Sequence, residues 1–232
     1  MPIRIIRPLA ITVLAWTIVL APVHAHETWA ERAILIQFGE PGAPGLDAYK
    51  PGQVRELSAI GIGGAAVPVT ALPIGQAAVV VKPSGGTDPA AVFFTLQLGH
   101  YVITGDDWKD ATAAEAAAAP TLWVGSYTVT SILAWHPGLA EPRARAIELV
   151  PLVDPLALAV GAPLPLRAFR DGRPQAGLTI ELGEGAKPVV SDAAGNLSVP
   201  VRVGHQVILG SLDEVAGGHT VGRMAVLSFT HR

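Results

Sequence analysis

Residues 89–101, "PAAVFFTLQLGHY", carry the reading that decides the fold. Valine, two phenylalanines, threonine and two leucines follow one another without the i, i+3, i+4 spacing of an amphipathic helix, and a glycine closes the run. A β-branched and aromatic stretch held between proline and glycine reads as a strand. The same composition returns in "RAILIQFG" (32–39), "VRELSAIGI" (54–62), "AAVVVKP" (77–83), "LWVGSYTVTSILAW" (122–135) and "RAIELVPL" (145–152). It continues in "LPLRAFRD" (164–171), "GLTIELG" (177–183), "LSVPVRVG" (197–204), "HQVILGSL" (205–212) and "GRMAVLSFTHR" (222–232). Many short strands separated by turn chemistry predict a mainly β sandwich class rather than βαβ units.

One stretch departs from the pattern. "DATAAEAAAAP" (110–120) is alanine-rich, Asp110 can cap it and Pro120 stops it, so a short helix is expected between strands of the first half. A domain boundary is expected near residue 150, where Pro151, Pro155, Pro163 and Pro165 cluster after a strand and the strand pattern restarts. Beyond it, "RDGRPQAGLTIEL" (170–182) offers an Asp-Gly hairpin turn, and "VVSDAAGNLSVPV" (189–201) repeats the device at Gly195-Asn196. No period of about 20–50 residues repeats, so a solenoid or propeller is not expected.

Residues 1–25 read as a cleaved signal peptide. Arg4 and Arg7 precede the apolar run "PLAITVLAWTIVLAP" (8–22), and Val23 and Ala25 stand at the small-residue positions that signal peptidase inspects. No later stretch approaches the ~20 uninterrupted apolar residues of a membrane-spanning helix. The mature chain is therefore expected to be exported, periplasmic or beyond, and soluble once processed. Loss of Arg4 and Arg7 from 16 basic residues, against 19 acidic ones, takes the formal charge from −3 to −5. A basic nucleic-acid footprint is missing. The chain has no cysteine, hence no disulfide and no lipid anchor on an N-terminal Cys.

Cleavage after Ala25 would leave His26 as the first residue. Its free α-amine and its imidazole Nδ1 can then close one chelate ring on a single ion, and further imidazoles would complete a site for Ni²⁺, Co²⁺, Cu²⁺ or Zn²⁺. The α-amine has an ordinary pKa near 7.7–8.0, so an ion at neutral pH displaces a loosely held proton. His100, after "AVFFTLQLG" and close to Asp106 and Asp107, sits where a strand ends and loops gather. The two acids could orient it or form a solvated turn. His136, in "SILAWHPG" between Trp135 and Pro137, ends another strand and is the third candidate metal ligand. His205, His219 and His231 fall beyond the boundary and read as structural or exposed.

Enzyme motifs are absent: "GIGGAA" (61–66) is not GxGxxG, and there is no GxSxG, P-loop or cysteine nucleophile. The acid pairs Asp106/Asp107 and Glu181/Glu184 lack partner motifs. An enzyme is not expected.

The leader ending "HAHETW" (24–29), "GHYVITGDDWK" (99–109), "IELVPLVDPLALAVGAPLPLRAFRDGRPQAGLTIEL" (147–182), "SDAAGNLSVPV" (191–201) and "GRMAVLSFTHR" together resemble an exported domain-of-unknown-function family described as periplasmic nickel/cobalt-uptake components. The resemblance covers most of the mature chain, and its most specific part is "VPLVDPLAL…LPLRAFRDGRPQAG". It implies two immunoglobulin-like β-sandwich domains, residues 26–150 with the candidate metal site and 151–232 as a smaller one. It also implies a periplasmic protein that captures Ni²⁺ or Co²⁺ for a membrane metal transporter, with His26 and His100 as ligands. His136 rests on the strand pattern alone. Family members usually begin "HFLW" or "HYW", whereas Glu27 follows His26 here, which alters the pocket wall but not the ligand. Two alternatives stand beside this reading: a copper-binding protein using the same amine–imidazole chelate, and a metal-free β-sandwich adhesion or scaffold module.

Overall fold

The computed structural model describes residues 27–31, 35–39, 51–74, 78–83, 88–104, 107–118, 122–182, 186–216 and 219–231. In chain order the strands begin with β1 (Glu27–Glu31), β2 (Leu35–Gly39), β3 (Val54–Gly61), β4 (Val69–Ile74) and β5 (Ala78–Pro83). They continue with β6 (Pro89–Thr104), β7 (Asp107–Ala111) and, after the helix α1 (Ala113–Ala118), β8 (Leu122–Ile132). Then come β9 (Glu148–Pro151), β10 (Pro163–Arg170), β11 (Arg173–Pro174), β12 (Thr179–Ile180) and β13 (Val189–Val190). β14 (Asn196–Pro200), β15 (Gly204–Ala216) and β16 (His219–His231) close the chain. No helix among the described residues is long and apolar enough to cross a membrane.

The protein is mainly β, and its sheets stack as sandwiches do. A central sheet runs β13-β12-β15-β16-β8-β6-β3, with β7 also on β6. One outer sheet is β1-β2-β5-β4, and the other is β11-β10-β14 with β9 also on β10. The stretch "AVFFTL" shows why there are two outer layers. Val92, Phe94 and Leu96 point into a core with Val81 of the first outer sheet, while Ala91 and Phe93 point into a core with Leu164, Leu166 and Val199 of the second. Alternate residues of β16 divide in the same way, Met224 and Val226 to one side and Ala225, Leu227 and Phe229 to the other. A strand covered on both faces is apolar at both parities, which is why these runs do not alternate in sequence. Each fully buried side chain of this kind, such as Phe94, contributes about 1.5–3 kcal/mol.

The central sheet draws strands from both sides of residue 150. β16 pairs with β8 in parallel from Thr220↔Trp123 to Phe229↔Ile132. Val150, the last residue of the expected first domain, lies inside β9 opposite Arg167 of β10. Strands from both sides of residue 150 thus share one sheet.

Local chemistry explains most of the joints. Asp171 and Gly172 connect β10 to β11 with φ 49° and 75°, both positive as a type I′ hairpin turn requires. The turn at Asp192–Asn196 differs from expectation. Asp192 accepts from the amides of Ala194 and Asn196, but the strands it joins go to different sheets, β13 to β12 and β14 to β10. It therefore carries the chain between layers rather than closing a hairpin.

The helix forms where alanine predicts it, with a different cap. Asp110 belongs to β7, and the cap is Thr112, whose hydroxyl accepts from the Glu115 amide at 3.2 Å while the Glu115 carboxylate accepts from the Thr112 amide at 2.8 Å. This reciprocal arrangement is a capping box. The bond from the Thr112 amide, and then that from its hydroxyl, hold the Glu115 carboxyl below its ordinary value. A carboxyl lowered on folding adds stability above its unfolded pKa and loses it as pH falls through the folded one. In an NMR titration the Thr112 amide is therefore expected to respond with a midpoint below the ordinary glutamate value of about 4.3, and a midpoint at or above it would contradict the box.

Candidate functional site

The central sheet has two ends, and its registers sort the histidines between them. β6 pairs His100 with Val124 near one end and Ala91 with Ile132 near the other. Nine residues separate Ala91 from His100, roughly 30 Å of strand at about 3.3 Å per residue.

His136 belongs to the Ala91 end. β8 finishes at Ile132, and the amides of Leu133 and Ala134 both bond to the Ala90 carbonyl. The His136 Nδ1 then accepts from the Gly138 amide at 3.0 Å, capping the 3₁₀ turn Pro137–Ala140. Its ring edge occupies the space a side chain at Gly64 would need: a Cβ there would stand 2.5 Å from Nε2. The structure therefore separates His136 from His100, since imidazoles sharing one ion lie about 2.0–2.1 Å from it. The sequence offered both as ends of aromatic-rich strands, but β6 continues past His100 to Thr104 and pairs it with Val124 and Ala111, so His100 lies within its strand. Because β6 and β8 are antiparallel, the residues that follow each apolar run lie at opposite ends of the sheet.

His205 and His231 join the same far end, where Gly204 pairs with His231. The His205 Nδ1 lies 3.2 Å from the Thr230 hydroxyl, and the His231 Nε2 lies 2.6 Å from the Leu158 carbonyl.

His219 goes to the His100 end. It opens β16, and because β16 runs parallel to β8, the row His100–Val124–Val221 crosses three adjacent strands with His219 two residues beyond Val221. Alternation puts His100 and His219 on the same face, the one that carries Arg223, Ala225 and Leu227. Both histidines are half-buried. The sequence placed His219 with the second half of the chain and gave it no role. The signal for its true position was the both-parity apolar run "MAVLSF", which only a strand in the middle of a covered sheet needs.

Around this end the electrostatics are set by arginines and one carboxylate. Glu214 of β15 binds Arg170 of β10 through Oε1 and Arg223 of β16 through Oε2, the latter at 3.3 Å. Beside this triad an open cleft of about 460 Å³ is lined by Arg170, Asp171, Arg173, Pro174 and Gln175. On the opposite face Tyr101 packs against the core, and burial, followed by the Asp110 charge, raises its phenol above the ordinary value. Among the described residues no group of three or more His, Asp or Glu side chains converges as a metal cage. His26 and Asp106 lie outside the described residues, as do the leader residues 1–25, and Asp107 is described only as the start of β7.

No protein-family model, curated protein or solved structure matches this chain.

Proposed function

We propose that the processed chain is an exported transition-metal-binding protein that captures Ni²⁺ or Co²⁺ and passes it to a membrane uptake system. The observation that supports this most is the position of β1. It begins one residue after His26 and lies with Cα atoms within 8 Å of β8, β16 and β15. An N terminus freed after Ala25 would then be held against the central sheet.

The strand directions bring the start of β1 to the His100 end of the central sheet, over the face that carries Tyr127 and Met224, while His100 stands on the opposite face. Residues 66–67 return antiparallel to β3, β4 continues that direction, and the antiparallel pairings β4–β5, β5–β2 and β2–β1 follow. With the sheets aligned as in a sandwich, β1 runs the same way as β8 and β16 and starts toward the His100 end. In this reading His26 supplies the α-amine and Nδ1, and one or two further imidazoles complete the set. The donors are all nitrogen, a set that suits first-row divalent ions and not Mg²⁺ or Ca²⁺. The chemistry is capture and release, with no bond made or broken in the substrate ion's surroundings beyond its ligands.

Copper would use the same nitrogens and bind most tightly of the divalent series, so affinity rank alone does not identify the cargo. Titration of the correctly processed chain with Ni²⁺ and Co²⁺ tests the reading. Saturable binding of one ion per chain is expected, and no binding would overturn it.

A further inference from the structure

We infer that the β10–β11 hairpin carries a binding site for a small free oxyanion, a carboxylate or a phosphate, gripped between Arg170 and Arg173. The site is independent of the metal-binding reading, and its failure would leave that reading untouched.

The sequence "RDGR" (170–173) builds the pair. The two-residue turn at Asp171-Gly172 sets Arg170 directly opposite Arg173 in the β10–β11 register. Residues so opposed have Cβ atoms about 4.5–5.5 Å apart on one face of the hairpin, and like charges in that position destabilise it. Arg170 shares the parity of Leu164, Leu166 and Ala168, whose side chains enter the core with the central sheet. Both arginines therefore stand on the inner face of the hairpin, just beyond the end of that core.

The carboxylates nearby do not cancel the pair. Glu214 is divided between Arg170 and Arg223, and Asp171 stands 3.8 Å from the Arg170 Nε with its side chain 73% exposed. Arg173 makes no ion pair and no side-chain hydrogen bond among the described residues. Three arginines thus face two carboxylates, a surplus of one positive charge in a chain whose formal charge is −3.

There is also room for a ligand. The cleft lined by Arg170, Asp171, Arg173, Pro174 and Gln175 measures about 460 Å³, inside the ~300–1,000 Å³ range of small-molecule sites. Glu214 holds the Arg170 guanidinium through Nη1, so that group is positioned before a ligand arrives. A guanidinium has donors on both of its edges, and those left over match the spacing of two oxygens on one carbon or phosphorus. An oxyanion between the two forks accepts from both and removes their repulsion. Chloride, with a single centre, cannot bridge them in this way.

NMR titration of the full processed chain with inorganic phosphate, and separately with citrate, tests the site, with sodium chloride keeping the ionic strength constant. Saturable shifts of the amides from Arg170 to Gly177 are expected, and the anion that saturates at lower concentration distinguishes phosphate from carboxylate. Arg173→Gln breaks no side-chain bond and is expected to weaken that anion roughly tenfold, the scale of one hydrogen bond to a charged group. Arg55→Gln, which removes an exposed charge on β3, should leave the affinity unchanged. Equal weakening by the two substitutions would show attraction to overall charge only and overturn the inference. Shifts of the wild-type chain that do not saturate, or that spare the hairpin, would overturn it without any substitution.

Discussion

Replacing Glu148 by alanine is expected to lower the unfolding free energy by about 2–6 kcal/mol, because two amides lose their acceptor at about 1–3 kcal/mol each. In a chain of this length that is a fall in Tm of roughly 4–24 °C, at about 2–4 °C per kcal/mol. Glu148 is 4% exposed. Its carboxylate accepts from the Arg145 amide at 2.9 Å and from the Arg143 amide at 3.1 Å to each oxygen. Those bonds fold the 143–148 segment so that the Arg145 guanidinium reaches the Val129 carbonyl at 2.8 Å and the Phe94 carbonyl, while Arg143 lies 3.9 Å over the Phe93 ring. Burial lowers the Arg145 pKa to about 10, and the Glu148 charge is the largest influence opposing that shift. Removal of the carboxylate would leave a buried cation and two amides without their acceptor. Glu148→Gln keeps an acceptor but loses the charge, and an intermediate loss is expected. An alanine variant that melts within a degree or two of the wild type would show that this network does not hold the second outer sheet to the centre.

The second large effect is expected at Gly125. Gly99, Gly125 and Gly222 stand side by side across β6, β8 and β16, on the face that carries Tyr127, Val129 and Met224. They form a strip without side chains. Stacked sheets ordinarily lie about 10 Å apart, yet β1 has Cα atoms within 8 Å of β8 and β16. Gly125 and Gly222 are buried. We expect Gly125→Val to place a branched side chain under β1 and to cost about 1–3 kcal/mol, the range for overpacking a filled interior. The loss should fall on β1 first. Hydrogen exchange of the Glu27–Glu31 amides, compared with those of β6, measures it, and equal protection of β1 in variant and wild type would contradict the packing described. In the metal-binding reading the same variant also weakens Ni²⁺ binding, because β1 carries the N terminus.

What could be read from the sequence was local. The strand runs, the Asp171-Gly172 hairpin and the helix over Ala113–Ala118 all follow from residue type and turn chemistry. The helix cap was misassigned because Asp110 and Thr112 both carry capping oxygens, and only the reciprocal bond with Glu115 distinguishes them. The partnership of distant strands was not legible, because nothing in "MAVLSF" specifies that it lies beside "SYTVTSI" and not beside a strand of its own half. The histidines follow the same division. His136 is flanked by Trp135 and Pro137 like a loop ligand, but its ring serves the backbone of its own turn and packs on Gly64. His219 looked remote from His100 because about 120 residues separate them, a distance that one parallel ladder removes.

Calorimetric titration with Ni²⁺ of two otherwise identical chains, one beginning at His26 and one carrying a single extra residue before it, tests the central claim most directly. The amine of His26 can act as a ligand only when it is free, so the extended chain is expected to bind at least a hundredfold more weakly, with the apo proteins melting alike. Equal affinity in the two chains would contradict a site built on the processed N terminus.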